Sequence, residues 1–534
     1  MIVVREANRD DAPEISRIFR ACYGKDYAYP QFYDLELLTK MIYTDDTVIL
    51  VAEDEDTGEL LGTASVICQV GANSDLTGEF GRLAVDPAKR NLGVGKLLMH
   101  ERLNRIRERL EVGMMDARVV HPYTLKIAEK SGFHPVGFEP LKMLISGRES
   151  IALMIRYFGQ ALSLRNNHPR IIPEVYPVAC LAFENCGIKY DAIVDEFSSS
   201  YPMIEGYELE ELTSEGYSSL LRIQRGRVSN REIFGPLRLH YGVFKHKATQ
   251  SRYLIAKEDG RVVGAVGFTF DEIEKASRIF ELISLNDDVI RFLLTNLERH
   301  LREDYKAEFV EIDVSAYAPR MQRTLIELNF VPVAYLPALV FHDVERLDAV
   351  RMARINVPLA LGEIHLSQKV KKIADVVMKA FRQKDIVPEV LDALEMMDLL
   401  KGCSKEQAHR LACLCSVRQL EEGELLFEKD EDAIEMYVIL TGEIEVYMSH
   451  SEEPIASVKA GECLGEISFL TRKKHSASAI ASKHTRVAVL TNDELNQLVR
   501  QRPDIGLLLY RNLAHGLGEK LQRQDLVVSE KKES

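Results

Sequence analysis

The hydrophobic pattern changes period several times along the chain. MIVVREANRDDAPEISRIF reads as a strand and then an amphipathic helix, and TVILVAEDEDTGELLGTASV places two β-rich runs around DEDTGE, the mark of a hairpin. GEFGRLAVD leads through PAKRNLGVG into KLLMHERLNRIRERL, whose apolar residues recur at helical spacing. Strand, glycine-rich loop and helix thus follow one another. Much later, ALGEIHLSQKVKKIADVVMKAFRQKDIVPEVLDALEMMDLL is helical by pattern, ELLFEKDEDAIEMYVILTGEIEVYMS alternates as strands with turns at DEDA and TGE, and DELNQLVRQRPDIGLLLYRNLAHGLGEKLQ closes as helix.

An internal comparison organises the middle of the chain. SGFHPVGFEP (131–140) returns as LNFVPVAYLP (328–337), so that Phe133/Phe330, Pro135/Pro332, Val136/Val333 and Pro140/Pro337 share an offset of 197, and VAEDEDTGELLG (51–62) returns as IAKEDGRVVG (255–264). Two copies of one fold are predicted. The expected layout is a first copy over 1–145, a bridge with at least one helix over 146–206, a second copy over 207–345, a helical connector over 346–394, a β-rich module with flanking helices over 395–524, and a polar tail over 525–534. The fold class is α+β and multidomain: two mixed-sheet domains followed by a β-barrel of jelly-roll type.

Composition narrows the function. At ~150 residues per domain, 534 residues imply three or four domains. A net charge of −14 disfavours nucleic acid and mildly favours cationic partners such as amines or lysine-bearing proteins. No run approaches the ~18 apolar residues of a membrane span, and the N-terminus lacks a basic segment followed by an apolar run, so a cytoplasmic protein is expected. The eight cysteines show no paired CxxC units and no histidines at zinc-finger spacing, which points to buried thiols rather than a metal site.

A strand–glycine loop–helix junction exposes backbone N–H groups and the positive end of a helix dipole, which suits a phosphate or pyrophosphate; the bland alternative is a tight turn packing a helix on a sheet. The loop matches neither G-x-x-x-x-G-K-[ST] nor GxGxxG. The fuller string LAVDPAKRNLGVGKLL resembles the acetyl-coenzyme A signature of the GNAT acyltransferase superfamily, R/Q-x-x-G-x-G/A, with Arg90, Gly93 and Gly95 in the key places. The resemblance implies that Arg90, Asn91, Leu92, Gly93, Val94, Gly95 and Lys96 wrap the pyrophosphate of an acetyl- or acyl-coenzyme A donor, while Leu83, Ala84 and Val85 bind its pantetheine arm. It also implies that Glu79 is a general base, since an alkylammonium must lose a proton before its nitrogen attacks a thioester. HPYTLKIAEKSGFHPVGFEP resembles the family's closing helix and strand, but Ala128 replaces the tyrosine that commonly protonates the departing thiolate and His121 replaces an asparagine. Tyr123 substitutes only if the helix is rotated or shifted. The activity implied is N-acetylation of a primary amine, a protein lysine or a small amine.

In the second copy the matching loop, LISLNDDVIRFLLTNLERHL, has no glycine and two consecutive aspartates that would repel a pyrophosphate. No coenzyme A is expected there; the second copy either forms a wall of the acceptor cleft or is purely structural.

The C-terminal module resembles the cyclic nucleotide-binding domain family, through Gly423, the MYVILTGEIEV hairpin with Gly442, and the cassette GECLGEISFL. The resemblance implies a nucleotide site at Gly465, Glu466, Ile467 and Ser468, with Gly465 and Glu466 beneath the ribose, and puts His475, followed by Ser476, where an arginine usually pairs with the cyclic phosphate. Arginine is a permanent two-pronged donor, whereas histidine is mostly neutral at pH 7. Arg472, Lys473 and Lys474 supply the missing charge only if the loop folds back. Cyclic AMP or cyclic GMP bound in a modified way, another ligand, or a fold kept without its ligand all fit this cassette. The whole chain reads as an acyltransferase regulated by this module, similar to nucleotide-regulated bacterial protein-lysine acetyltransferases. The competing reading is a non-catalytic sensor that binds acyl-coenzyme A and a nucleotide or protein partner.

Overall fold

The computed structural model describes residues 1–25, 27, 29–69, 76–212, 232–235, 251–397, 399–448, 453–471 and 473–533. The chain divides into two compact units, Met1–Met378 and Lys379–Ser534.

The first unit opens with β1 (Ile2–Glu6) and helix α1 (Ala12–Tyr23). Helix α1 carries a proline, Pro13, in its first turn, buries Ile15, Ile18 and Phe19 on one face, and stops at Gly24 with φ +64°. After α2 (Leu35–Ile42) the chain forms β2 (Thr47–Asp54), β3 (Glu59–Gln69), β4 (Thr77–Val85), helix α3 (Val94–Ile106), β5 (Val112–Arg118), helix α4 (Tyr123–Lys130), β6 (His134–Leu144) and β7 (Arg148–Tyr157). The bridge contributes short strand β8 (Arg170–Ile171), helix α5 (Tyr176–Cys186) and β9 (Ile193–Val194).

The same order then repeats. It runs β10 (Glu208–Leu212), a two-residue β11 (Ile233–Phe234), β12 (Ser251–Glu258), β13 (Arg261–Asp271), β14 (Ala276–Ser284), α6 (Asp288–Glu303), β15 (Phe309–Ser315), α7 (Pro319–Glu327), β16 (Val331–His342) and β17 (Glu345–Ile355). All of these strands belong to one sheet, in the order β1-β2-β3-β4-β5-β7-β6-β16-β17-β15-β14-β13-β12-β10, with β11 beside β15. The second half of that order mirrors the first.

The mirror line falls at a single residue pair. β6 meets β16 at Gly137 and Ala334, which are each other's partners under the 197-residue offset. A Cβ on Gly137 would lie 2.2 Å from that of Ala334, so only glycine allows the two strands this approach. Two reciprocal ion pairs flank the seam: Arg148 Nε lies 3.0 Å from Glu308, and Arg346 Nε lies 2.5 Å from Glu111, the residue 197 positions before Glu308. Such reciprocity is the signature of an isologous, twofold interface, here built within one chain. Helix α5 packs on both β6 and β16, and Asn185 Nδ2 donates to the Pro135 carbonyl at 3.0 Å.

Three expectations about boundaries change. The first copy extends through β7, beyond 145, because Arg148–Tyr157 pairs with both β5 and β6. The second likewise extends through β17, so residues 346–355 are strand and the connecting helix, α8 (Gln368–Met396), starts later. RESIALMIRY hides its strand character because it is buried continuously over residues 150–155, and ERLDAVRMARI because Arg346, Asp348 and Arg351 are buried through ion pairs rather than exposed on a polar face. The expected polar tail is helical through Glu533, within the last helix.

In the second unit, α8 ends and α9 (Lys405–Leu414) precedes β18 (Ser416–Leu420), β19 (Leu425–Phe427), β20 (Glu435–Thr441), β21 (Glu443–Tyr447), β22 (Ala456–Lys459), β23 (Cys463–Leu464), α10 (Glu466–Thr471), β24 (Ser478–Ala481), β25 (Thr485–Thr491), α11 (Asn492–Gln501) and α12 (Pro503–Glu533). The strands form two four-stranded sheets, β18-β25-β20-β23 and β19-β24-β21-β22. Among the described residues no ladder joins them into the closed barrel expected, so the jelly roll is an open sandwich.

Candidate functional site

β4 and β5 run parallel but pair only over Thr77–Glu79 and Val112–Met114. Beyond that point they splay, because β4 carries a bulge: opposite Thr63–Ser65 its register jumps from Ala84 to Gly81, and Arg82 sits at φ +54°. Arg102, reaching up from α3, donates from Nη1 to the carbonyls of Ser65 (3.0 Å) and Gly81 (2.9 Å) and so holds the bulge open.

The splay opens a cleft of about 670 Å³. Leu83, Ala84 and Val85 form one wall, Lys89, Arg90, Asn91, Gly93, Val94, Gly95 and Lys96 one end, and Tyr123 another part of its rim. Gly93 caps α3 in the left-handed conformation (φ +81°), and a Cβ on Gly95 would meet Ile127 Cδ1 at 3.4 Å, so the loop brings its backbone and the helix N-terminus to the cleft. Leu92 does not join them; it is exposed, away from the lining.

Glu79 lies at the other end, in β4 before the bulge, with Oε1 2.9 Å from Arg82 Nη2. It lines two small cavities, of about 100 and about 200 Å³. The larger is shared with the second copy, whose Glu274, Arg278, Glu311 and Arg351 face Glu79 and Lys142. Lys142 Nζ lies 3.0 Å from Asp116, 3.0 Å from Glu139 and 3.2 Å from Glu311, a charge cluster that crosses the seam. The second copy is therefore a wall of the cleft that holds Glu79.

Tyr123 and Glu79 are not brought together: Tyr123 is 68% exposed on the first turn of α4 and lines the large cleft alone. Ala128 is fully buried, so no hydroxyl comes from that helix position. The tyrosine that lines both the large cleft and the Glu79 cavity is Tyr23, at the end of α1. Its hydroxyl is pushed above the usual tyrosine range by burial, which Arg118 beside it opposes. Tyr27 and Tyr29 continue the wall, with ring centroids 4.6 Å (Tyr23–Tyr27) and 5.4 Å (Tyr27–Tyr29) apart. Sequence reading missed these residues because CYGKDYAYPQFYD looks like an ordinary aromatic loop; its density of tyrosines was the available signal.

In the second copy the equivalent splay is filled by the chain itself. β14 pairs with β15 only over Ala276–Ile279, and β11 lies beside β15 beyond that point, Ile233 opposite Val314 and Phe234 opposite Asp313, with Ser315 N donating to Glu232 O at 2.8 Å. A Cβ on Gly235 would overlap Phe280. The backbone of β11 thus occupies this slot.

In the second unit Gly465 (φ +80°) turns the chain into α10, where Glu466 is buried and Ile467 is 60% exposed; the Ser468 side chain and Arg472 lie outside the described residues. His475 is 4% exposed and stacks on Phe427, with centroids 3.8 Å apart and planes 13° off parallel. Its backbone exchanges hydrogen bonds with the acidic turn before β20, Asp430 N to His475 O (2.9 Å) and His475 N to Glu431 O (3.0 Å). Burial lowers the basicity of its imidazole, against the pull of Glu431 and Glu435, so the ring packs as a neutral aromatic. Ser476, Lys473 and Lys474 are exposed on either side.

Residues 45–135 match the family profile of the acetyltransferase (GNAT) domain, and residues 417–502 match that of the cyclic nucleotide-binding domain. The chain carries one of each. Among curated proteins it is similar to a potassium channel protein of Rhodopseudomonas palustris (22% identical over 188 residues, 35% of this chain), a cAMP-dependent protein kinase regulatory subunit of Emericella nidulans (28% over 106 residues, 20%), and a cyclic AMP receptor protein of Thermus thermophilus (27% over 131 residues, 24%). The matches span 45%, 26% and 59% of those relatives' lengths. Among solved structures, a cyclic nucleotide-binding domain from Methylobacillus flagellatus aligns at 26% identity over 27% of this chain and 84% of that one, with a TM-score of 0.26. The catabolite activator protein of Thermus thermophilus aligns at 25% identity over 25% and 62%, with a TM-score of 0.23. The large cleft thus lies in the GNAT domain and the His475 stack in the cyclic nucleotide-binding domain. No helix among the described residues is long and apolar enough to cross a membrane.

Proposed function

We propose that the protein is an acyl-coenzyme A-dependent N-acyltransferase acting on a primary amine, with catalysis in the first copy and regulation by the C-terminal domain. The observation that carries this is the splayed β4/β5 cleft, with the N-terminus of α3 at one end and Glu79 beyond the other. The residues fit a coenzyme A: the helix end and Lys89, Arg90 and Lys96 suit its pyrophosphate, and the unpaired edge of β4 at Leu83–Val85 suits an extended pantetheine amide chain. The bound donor supplies an activated thioester.

The chain's own residues do the rest. Glu79 takes a proton from the incoming ammonium, directly or through water, and its ion pair with Arg82 fixes the carboxylate on the β4 backbone. Tyr23, at the junction of the two cavities, holds a proton for the departing sulfur. The second copy contributes the facing wall of the acceptor cleft and takes no donor.

Calorimetric titration of the full-length protein with coenzyme A should give one site per chain. Acetyl transfer across an amine panel should fall by ~10²–10⁴ in kcat for Glu79→Gln, and by a smaller factor for Tyr23→Phe, with coenzyme affinity preserved in both. A Glu79→Gln enzyme as active as the parent removes Glu79 as the base; a stoichiometry of two means that β11 does not keep a donor out of the second copy.

A further inference from the structure

Arg82 is placed at a cost. Its backbone is left-handed although it is not glycine, its side chain is 3% exposed, and its Nε and Nη1 have no hydrogen-bond partner among the described residues. Only Nη2 is engaged, by Glu79, while the guanidinium carbon stands 4.8 Å above the Tyr29 ring. Buried charged donors left unpaired are among the least tolerated features of a folded interior. Here they belong to a side chain that lines the cavity next to Glu79.

The surroundings reinforce the sign. Arg102 also lines that cavity and its hydrogen bonds go to backbone carbonyls and to Met99 sulfur, not to a carboxylate. Arg118, on the same wall, is balanced by a two-pronged pair with Glu149 at 2.8 Å. Of the two lining acids, Glu79 is shared with Arg82, and Asp116 shares Lys142 with Glu139 and Glu311. The cavity lining itself carries three arginines, Arg82, Arg102 and Arg118, and two carboxylates, Glu79 and Asp116.

Resting on the transferase reading, we propose that the cavity behind Glu79 recognises a carboxylate carried by one of the two transfer substrates, with Arg82 as its principal donor. The acceptor would then be an amine of amino-acid type, or the acyl group would be that of a dicarboxylic acid. A carboxylate that accepts from Nη1 leaves Nη2 to keep Glu79 in place, so the same guanidinium binds the substrate's anion and steadies the base.

The test uses the full-length protein and isosteric pairs that differ in the carboxylate. In one arm L-ornithine and putrescine, and L-phenylalanine and phenethylamine, are titrated into protein saturated with coenzyme A; in the other, succinyl- and butyryl-coenzyme A are titrated directly. One charge-assisted contact predicts a preference of about tenfold to a hundredfold for the carboxylate in one arm, and that arm identifies the substrate carrying it. Arg82→Gln should reduce the preference to within about threefold while coenzyme A itself still binds, and Arg82→Lys should restore part of it. Coenzyme A binding with no carboxylate preference in either arm, a result obtained with the parent protein alone, overturns this inference and leaves the transferase reading standing. Absence of coenzyme A binding overturns both.

Discussion

At position 475, where the family resemblance puts the arginine that pairs with a cyclic phosphate, a histidine ring lies face to face with Phe427. The stack explains why the substitution is tolerated: a flat, neutral ring fills the space between Phe427 and Gly465, whose missing Cβ would stand 3.5 Å from the imidazole. It also predicts a gain on reversal. His475→Arg should raise the affinity for cyclic AMP by about tenfold to a hundredfold, the worth of one charge-assisted hydrogen bond, measured by calorimetry on the full chain. An unchanged affinity would mean that residue 475 does not face the phosphate. The identity of the cassette was legible in GECLGEISFL; the role of His475 was not, because its partner Phe427 lies 48 residues earlier and only the fold brings them together. The same holds for Arg82 and the tyrosines of α1 and the following loop, whose chemistry depends on the bulge and the splay.

At the scale of elements, periodicity and the 197-residue offset disclosed the strand–loop–helix unit and its repetition, but not the strands that join the copies. β7 and β17 lie in the middle of the sheet; β7 is buried continuously over residues 150–155 and β17 buries Arg346, Asp348, Arg351 and Arg354, so the alternation that marks a half-exposed strand is absent. The two-residue β11 is too short to carry any pattern. The contact that permits this arrangement is Gly137 on Ala334. Gly137→Val would place atoms 2.2 Å from Ala334 Cβ and 2.9 Å from the Val333 carbonyl, an overpacking worth ~1–3 kcal/mol. Thermal unfolding should therefore shift down by several degrees, whereas Gly147→Val, at a site with open space around it, should cost little. Equal losses in the two variants would show that the seam is not tightly packed.

At the scale of the molecule, regulation needs an element that both units share, and α8 meets that requirement because the boundary at Met378/Lys379 falls inside it. Val370, Ile373 and Val377 are buried in its first half, within the first unit, and Val387, Val390 and Leu394 belong to the core of the second. Pro388 interrupts the second half, removing one backbone hydrogen bond and marking where the helix bends most easily. A ligand that binds only the folded first unit stabilises it by RT ln(1 + [L]/Kd), ~2.7 kcal/mol at a hundredfold excess over Kd. In scanning calorimetry of the full chain, two transitions are expected, and saturating coenzyme A should raise the one belonging to the first unit by this mechanism. If the C-terminal domain regulates the transferase through α8, part of that free energy must appear in the second transition as well, and Pro388→Ala should change how much is passed on without changing coenzyme affinity. A second transition that stays fixed at every coenzyme concentration would separate the units energetically and leave the C-terminal domain without a regulatory role in acyl transfer.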